Sequence, residues 1–389
     1  MLPVQNFEYY NPTKVIFGKD QFNRLPELIR QHHRGIKIML VYGQGSIKRN
    51  GIYSKVIQAL RDYEIIEFSG VEPNPDYNTL MKAVNVVQTE KIEFILAVGG
   101  GSVIDGTKFI CAAAKYDGDP WEVLARKENA IFKDAISFGT VLTLPATGSE
   151  MNSGAVISNR ELMEKRTMGG PYAFSKFSIL DPSVVNSLNN QQLVNGITDT
   201  FVHVLEQYLT MPTWNFLQER IAEGILTTLI KISSKIINDP ADEVAAGNLM
   251  WCSTMALNGT LRSGVCYDWS THMIAHELTA IYGIDHARTL AIIGPNLYEE
   301  LIDDKGQKLN QYGQRVWGLE DDCAKEAINT TRAFFQKMGI KTRISDYTLD
   351  YDGIQKKIKA RFEKREWFSL GERQNISPDV VERIVAASI

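Results

Sequence analysis

One feature constrains this chain before any other: its hydrophobic periodicity changes partway along. From residue 14 to about residue 181, short β-branched runs alternate with amphipathic stretches of helical spacing. That alternation predicts βαβ units around a largely parallel sheet. The clearest strands are Ile36–Tyr42, Phe94–Val98 and Thr140–Leu144. After Asp181-Pro182, apolar residues recur every three or four positions to the C-terminus and strand-like runs nearly vanish, so this half is expected to be all-helical. Pro182, Ser183, Asn186, Ser187, Asn189 and Asn190 cluster as turn formers at the change. The expected division is an α/β domain over 1–185 and an all-α domain over 186–389, which suits 389 residues at about 100–200 per domain.

Composition narrows the function. With 42 Lys+Arg against 46 Asp+Glu the net charge is −4, so nothing global draws the chain to nucleic acid or anionic lipid. No stretch offers the roughly 20 consecutive apolar residues that span a bilayer, and the first residues lack a basic patch followed by an apolar run. Cys111, Cys252, Cys266 and Cys323 are far apart, which argues against a disulfide framework or a thiolate zinc site. A cytoplasmic protein acting on a small molecule is the expectation.

Three turns after strands suggest a dinucleotide. Gly99-Gly100-Gly101-Ser102 follows a buried strand, and Ser102 with Asp105 has the Ser-x-x-Asp spacing of a capping box opening a helix near Val103. Glycine admits a pyrophosphate close to the backbone, and a helix start favours anions. The alternative is a plain turn whose glycines supply positive φ. A second turn, Gly43-Gln44-Gly45-Ser46 with Lys48 and Arg49 beyond, places Gly43 where a carboxylate would select the ribose 2′-hydroxyl of NAD. Hydroxyl and cationic groups there predict NADP over NAD. A third, Thr143 to Ser153, carries Thr143, Thr147 and Ser149 as candidate donors to a cofactor, while Glu150 is expected to be structural.

Four of the six histidines fall in three short segments of the helical half. Asp199 and His203 are four apart, as are His272 and His276, so each pair shares a helical face. His286 follows after a turn expected at Tyr282-Gly283. One carboxylate and two or three imidazoles suit Fe²⁺ or Zn²⁺ with a position left for substrate or water. His276 could instead remain a free imidazole that carries a proton beside a developing alkoxide. An HExxH protease is excluded because Leu-Thr-Ala follows His276-Glu277.

These residues, with Asn11 to Gly18, Gly70 to Pro75, Ala97 to Lys108 and Leu180 to Pro182, resemble the iron-containing (group III) alcohol dehydrogenases, and within them the NADPH-dependent butanol dehydrogenases and broad aldehyde reductases. The resemblance implies a Rossmann-like N-terminal domain and an all-helical C-terminal domain, the fold shared with dehydroquinate synthases. It implies metal ligands at Asp199, His203, His272 and His286, and His276 as the proton-transfer residue. It implies NADP(H) across Gly43–Ser46 and Gly99–Ser102, with Asn74, Asp105, Thr143, Thr147, Ser149 and Lys165 in the cofactor set. Reversible hydride transfer between NADPH and an aldehyde, giving a primary alcohol, follows from it, as does a homodimer. Two rivals stay open: a metal-dependent lyase of the dehydroquinate synthase type, and a non-catalytic nucleotide-binding module with a structural metal.

Overall fold

The structure, a computed structural model, describes residues 4–124 and 131–389. In chain order the first part holds β1 (Lys14–Phe17), α1 (Leu25–Arg30), β2 (Lys37–Tyr42), α2 (Ser46–Arg49), α3 (Ile52–Ala59), β3 (Glu64–Phe68), α4 (Tyr77–Glu90), β4 (Phe94–Gly100) and α5 (Gly101–Ala113). It continues with β5 (Ser137–Leu144), a hairpin of β6 (Ala155–Asn159) and β7 (Glu164–Met168), and β8 (Phe177–Leu180). The second part holds α6 (Asn190–Tyr208), α7 (Phe216–Asn238), α8 (Glu243–Ala256), α9 (Ser270–Tyr282) and α10 (His286–Glu300). It ends with α11 (Ile302–Tyr312), α12 (Ala324–Lys337), α13 (Ile354–Lys364) and α14 (Pro378–Ala387).

Six strands form one sheet in the order β1-β8-β5-β4-β2-β3, every pair parallel. Strands covered on both faces are expected to be apolar throughout rather than alternating, and in β4 Phe94 to Val98 are all buried. From β2 the chain goes outward to β3, then returns to place β4 on the other side of β2. The order therefore reverses between β2 and β4, and in parallel sheets ligands bind beyond the strand ends at such a reversal.

The glycine turn differs in detail from the expectation. Strand β4 continues into Gly100, paired with Leu144 across an irregularity, and α5 begins at once at Gly101. Gly100 caps that helix without a side-chain hydrogen bond, so the Ser102/Asp105 capping box does not form. Nor does any of Gly99, Gly100 or Gly101 take a positive φ. Close approach demands them instead: a Cβ on Gly99 would land on the Val103 side chain, and one on Gly101 would come within 2.5 Å of Thr147 Oγ1.

By compactness the chain forms two units, and they interleave where a single division at 185/186 was expected. The sheet unit comprises 10–189 and 239–258; the helical unit comprises 4–9, 190–238 and 259–389. Local chemistry explains the exchange. Thr254 on α8 donates to the Glu150 carboxylate, and Asn11 Nδ2 donates to the Asn258 carbonyl at 2.9 Å, so α8 is held to the sheet unit. In the helical unit Gln5 N donates to the Gly264 carbonyl at 3.3 Å. There α6 is buried continuously from Gly196 to Tyr208, and Phe201 packs on Phe334, Phe335 and Trp317. Among the described residues no helix is long and apolar enough to cross a membrane.

Gly101→Ala is expected to destabilise the protein by about 1–3 kcal/mol through overpacking against Thr147. Urea denaturation measures this, and Gly101→Ala combined with Thr147→Ala should recover part of the loss.

Candidate metal centre and nucleotide turns

A helix buried on all sides has to place its polar residues where something answers them. On α6, Gln191, Asn195, Asp199 and His203 recur every fourth residue and so form one stripe. Helix α9 contributes His272 and His276. It stops at Gly283, whose φ of 68° is the left-handed C-terminal cap, and α10 opens on His286. The turn expected at Tyr282-Gly283 is thus where the sequence places it. Asp285 fixes the angle of entry: its Oδ2 accepts from Gln191 Nε2 at 2.6 Å and from Asn195 Nδ2 at 3.0 Å. The upper stripe of α6 therefore sets the position of His286.

Asp199, His272 and His286 each bring one donor atom into a group whose members all lie within 4.8 Å of one another. His203 adjoins the group without belonging to it. Its ring stacks on His272 with centroids 4.6 Å apart, and its Nδ1 is 3.7 Å from Asp199 Oδ1. The His276 ring lies 4.8 Å from His286, and the residue is half-buried, so it combines proximity with access to water.

The residues fit a divalent transition ion. Asp199 is buried, and its Oδ1 accepts no hydrogen bond among the described residues. A carboxylate oxygen in that condition is costly unless a cation meets it. One oxygen with imidazole nitrogens matches Fe²⁺ or Zn²⁺, whereas Ca²⁺ and Mg²⁺ call for more oxygens.

Glu206 is the functional residue that sequence reasoning missed. Its Oε2 binds His272 Nδ1 and its Oε1 accepts from Thr271 N at 2.6 Å. Holding Nδ1 this way fixes the tautomer and leaves Nε2 as the nitrogen that would meet a metal. Burial pushes the Glu206 carboxyl well above its ordinary range, and nearby Asp268 adds to the effect. A signal existed: Glu206 is seven residues after Asp199 and three after His203, hence on their face of α6.

In the sheet unit, Tyr42 pairs with Val98, so the turn that opens at Gly43 lies beside the Gly99-Gly100 end of β4 at the reversal. Gln44 and Ser46 are exposed there, and Gly45 adopts a φ of 93°. Three of the cofactor candidates come together from separate segments: Asn74 N donates to Ser102 Oγ at 3.3 Å, and Lys165 Nζ donates to Asn74 Oδ1 at 2.9 Å. Thr143 is buried within β5. Thr147 lies against Gly101, and its hydroxyl accepts from Ser149 N at 3.2 Å.

Ser149 and Asp105 are turned inward and fasten the loop. Ser149 Oγ donates to Asp105 Oδ1 at 2.5 Å and accepts from Lys108 Nζ at 2.9 Å, while Asp105 Oδ2 accepts from Val156 N at 2.9 Å. Lys108, fully buried, also donates to Asn152 Oδ1 and the Gly154 carbonyl. Burial pulls its ammonium down to about 8.

Comparison with known proteins identifies the family. The family described as iron-containing alcohol dehydrogenase matches residues 12–182, and the C-terminal Fe-containing alcohol dehydrogenase family matches residues 193–389. The chain is 45% identical to the NADPH-dependent aldehyde reductase YqhD of Escherichia coli, covering 99% of this chain and 100% of that one. It is 41% identical to the probable NADH-dependent butanol dehydrogenase 1 of Bacillus subtilis, again covering 99% and 100%. The crystal structure of E. coli YqhD superposes with a TM-score of 0.95 at 44% identity, and that of NADH-dependent butanol dehydrogenase A from Thermotoga maritima with 0.94 at 33%; both pairs are covered completely.

Two outcomes follow from these contacts. Glu206→Gln should lower metal affinity by roughly 10–100-fold, the usual effect of losing an outer partner, read as metal retained after dialysis against a graded chelator. For Lys108, the folded state releases its proton near pH 8 and the unfolded chain only near 10.5. Between those values the unfolded state binds more protons, so stability at this group rises with pH. Denaturant midpoints across that window should show the rise in the unaltered protein and lose this component in Lys108→Met.

Proposed function

The chain belongs to the iron-containing alcohol dehydrogenase family, and from that premise we propose that it is a metal-dependent NADP(H)-linked oxidoreductase reducing an aldehyde reversibly to a primary alcohol, with butanal and butanol as representative partners. The observation that carries this reading is the convergence of Asp199, His272 and His286 from three helices. When bound, a divalent Fe²⁺ or Zn²⁺ supplies a Lewis acid for the carbonyl oxygen and NADPH supplies the hydride.

The chain's own residues do the rest. Asp199, His272 and His286 would hold the ion, with His203, stacked on His272 and 3.7 Å from Asp199, turning in as a fourth ligand when the ion binds, and with Glu206 keeping His272 in the coordinating tautomer. His276 delivers the proton that aldehyde plus NADPH requires to give alcohol plus NADP⁺. An imidazole can both accept and donate a proton, and this one is half-buried, within reach of water. The turns Gly43–Ser46 and Gly99–Ser102, with Asn74 and Lys165, would hold the dinucleotide. Preference for NADP(H) is supported by the absence of an acid at Gly43 and by the similarity to the NADPH-dependent aldehyde reductase YqhD of E. coli. The B. subtilis relative is named for NADH, so the preference is a property to measure on this chain.

We place the protein in the cytoplasm as a homodimer. Its four cysteines are free, and β1 is an edge strand of the sheet, which a second copy can extend. Light scattering on the purified protein tests the pairing.

The deciding experiment is an aldehyde panel run with NADPH and NADH alongside elemental analysis. Butanal should consume NADPH one for one, an outcome a lyase cannot give. His286→Ala should lose metal and turnover together, by more than the roughly 10–100-fold expected of an outer partner. Full turnover without metal would remove the ion from the reaction.

A further inference from the structure

Beside the turn that follows β2, four side chains meet that the function above does not use. Tyr42 ends β2, Lys48 lies in α2, Tyr53 in α3 and Glu67 in β3. Glu67 Oε2 accepts from the Tyr42 hydroxyl and Oε1 from the Tyr53 hydroxyl, each at 2.6 Å, and Lys48 Nζ stands 3.4 Å from Oε2. The same ammonium lies over both rings, 4.5 Å from the Tyr53 centroid and 5.1 Å from that of Tyr42. Partial burial opposes charge on Glu67, but the two phenols and Lys48 outweigh it and hold the carboxyl below its ordinary range.

This cluster bears on cofactor choice. Gly43 carries no acid, yet an acid reaches the side chain of its neighbour Tyr42 from the adjoining strand. Lys48, the cation expected to meet a 2′-phosphate, is already engaged with that acid. A carboxylate near the adenosine ribose favours a 2′-hydroxyl and repels a 2′-phosphate, while a cation does the reverse. The pair is exposed, with 48% and 36% of the two side chains accessible, so it holds weakly and exchanges readily.

Resting on the proposed dinucleotide function, we infer that Glu67 and Lys48 form the specificity-determining pair for the adenosine end of the cofactor. Lys48 turns from Glu67 to the 2′-phosphate when NADP(H) binds and stays on Glu67 when NAD(H) binds. Tyr42 and Tyr53 keep Glu67 hydrogen-bonded in both states, so releasing the lysine does not leave the carboxylate bare. Glu67 thereby limits how strongly NADP(H) is favoured.

Binding to the full chain, read by nicotinamide fluorescence for NADPH and NADH and by displacement for adenosine 2′,5′-bisphosphate, tests this without turnover. Glu67→Gln keeps an acceptor for the phenols and removes the charge. It should tighten NADPH and the bisphosphate by about two- to fivefold, the scale of one exposed ion pair, and leave NADH nearly unchanged. Lys48→Met should weaken NADPH and the bisphosphate by about tenfold, as loss of a charge-assisted contact does, again sparing NADH. Equal shifts for NADPH and NADH, or an unchanged ratio in both variants, overturn the inference while the functional reading stands. If the unaltered protein binds neither dinucleotide, the functional reading fails and takes this one with it.

Discussion

A carboxylate does not stay charged in an apolar interior unless something answers it, and the helical unit of this protein is arranged around that requirement. Helix α6 runs through the core with Asp199, His203 and Glu206 buried among Val202, Val204 and Leu205. Glu206 is answered by His272 and the Thr271 amide. Asp199 has His203 3.7 Å away but no hydrogen bond to its Oδ1 among the described residues, and a cation among it, His272 and His286 would answer it. The neighbouring helices serve the same end. Glu277, one position after His276, takes both Arg361 of α13 and Arg365 at its C-terminal cap, which anchors the outer side of α9. Lys305 of α11, itself buried, binds Asp268, two residues ahead of α9, and Glu372, between α13 and α14. The histidines are thus held from both sides by ion pairs that do no chemistry themselves.

The sheet unit solves a different problem, bringing backbone close to backbone. Gly99 and Gly101 are required because Val103 and Thr147 occupy the space a side chain would need. The third turn is then locked beneath them by Lys108, Ser149 and Asp105. A loop that merely follows a strand would be mobile in its polar groups; this one has nearly all of them committed inward. Its small, hydroxyl-rich composition reflects that internal network as much as any ligand.

Much of this was legible in the amino-acid order. Periodicity separated the sheet half from the helical half because buried parallel strands and amphipathic helices leave different repeats. The four-residue spacing of Asp199/His203 and His272/His276 gave the faces correctly, since helix geometry alone sets them. What escaped was tertiary. Glu206 lay in plain view on the stripe, but only its meeting with His272, 66 positions on, gives it a role. Glu67 was hidden because strand adjacency, not sequence distance, carries it to Tyr42. The Ser102/Asp105 spacing misled for a local reason: β4 runs two residues past Val98, so the helix begins before the serine and no cap is needed.

Helix α8 shows how a polypeptide can trade a segment between two bodies without altering either one's architecture. Residues 239–258 leave the helical unit, bed down on Glu150 and the 182–187 turn region, and are followed by a return to helices. A genetic crossover with a relative at the obvious junction near residue 186 would therefore pair an α8 from one parent with its seat from the other. The segment that must be inherited together with residues 10–189 is therefore 239–258, so the unit of exchange is discontinuous along the gene.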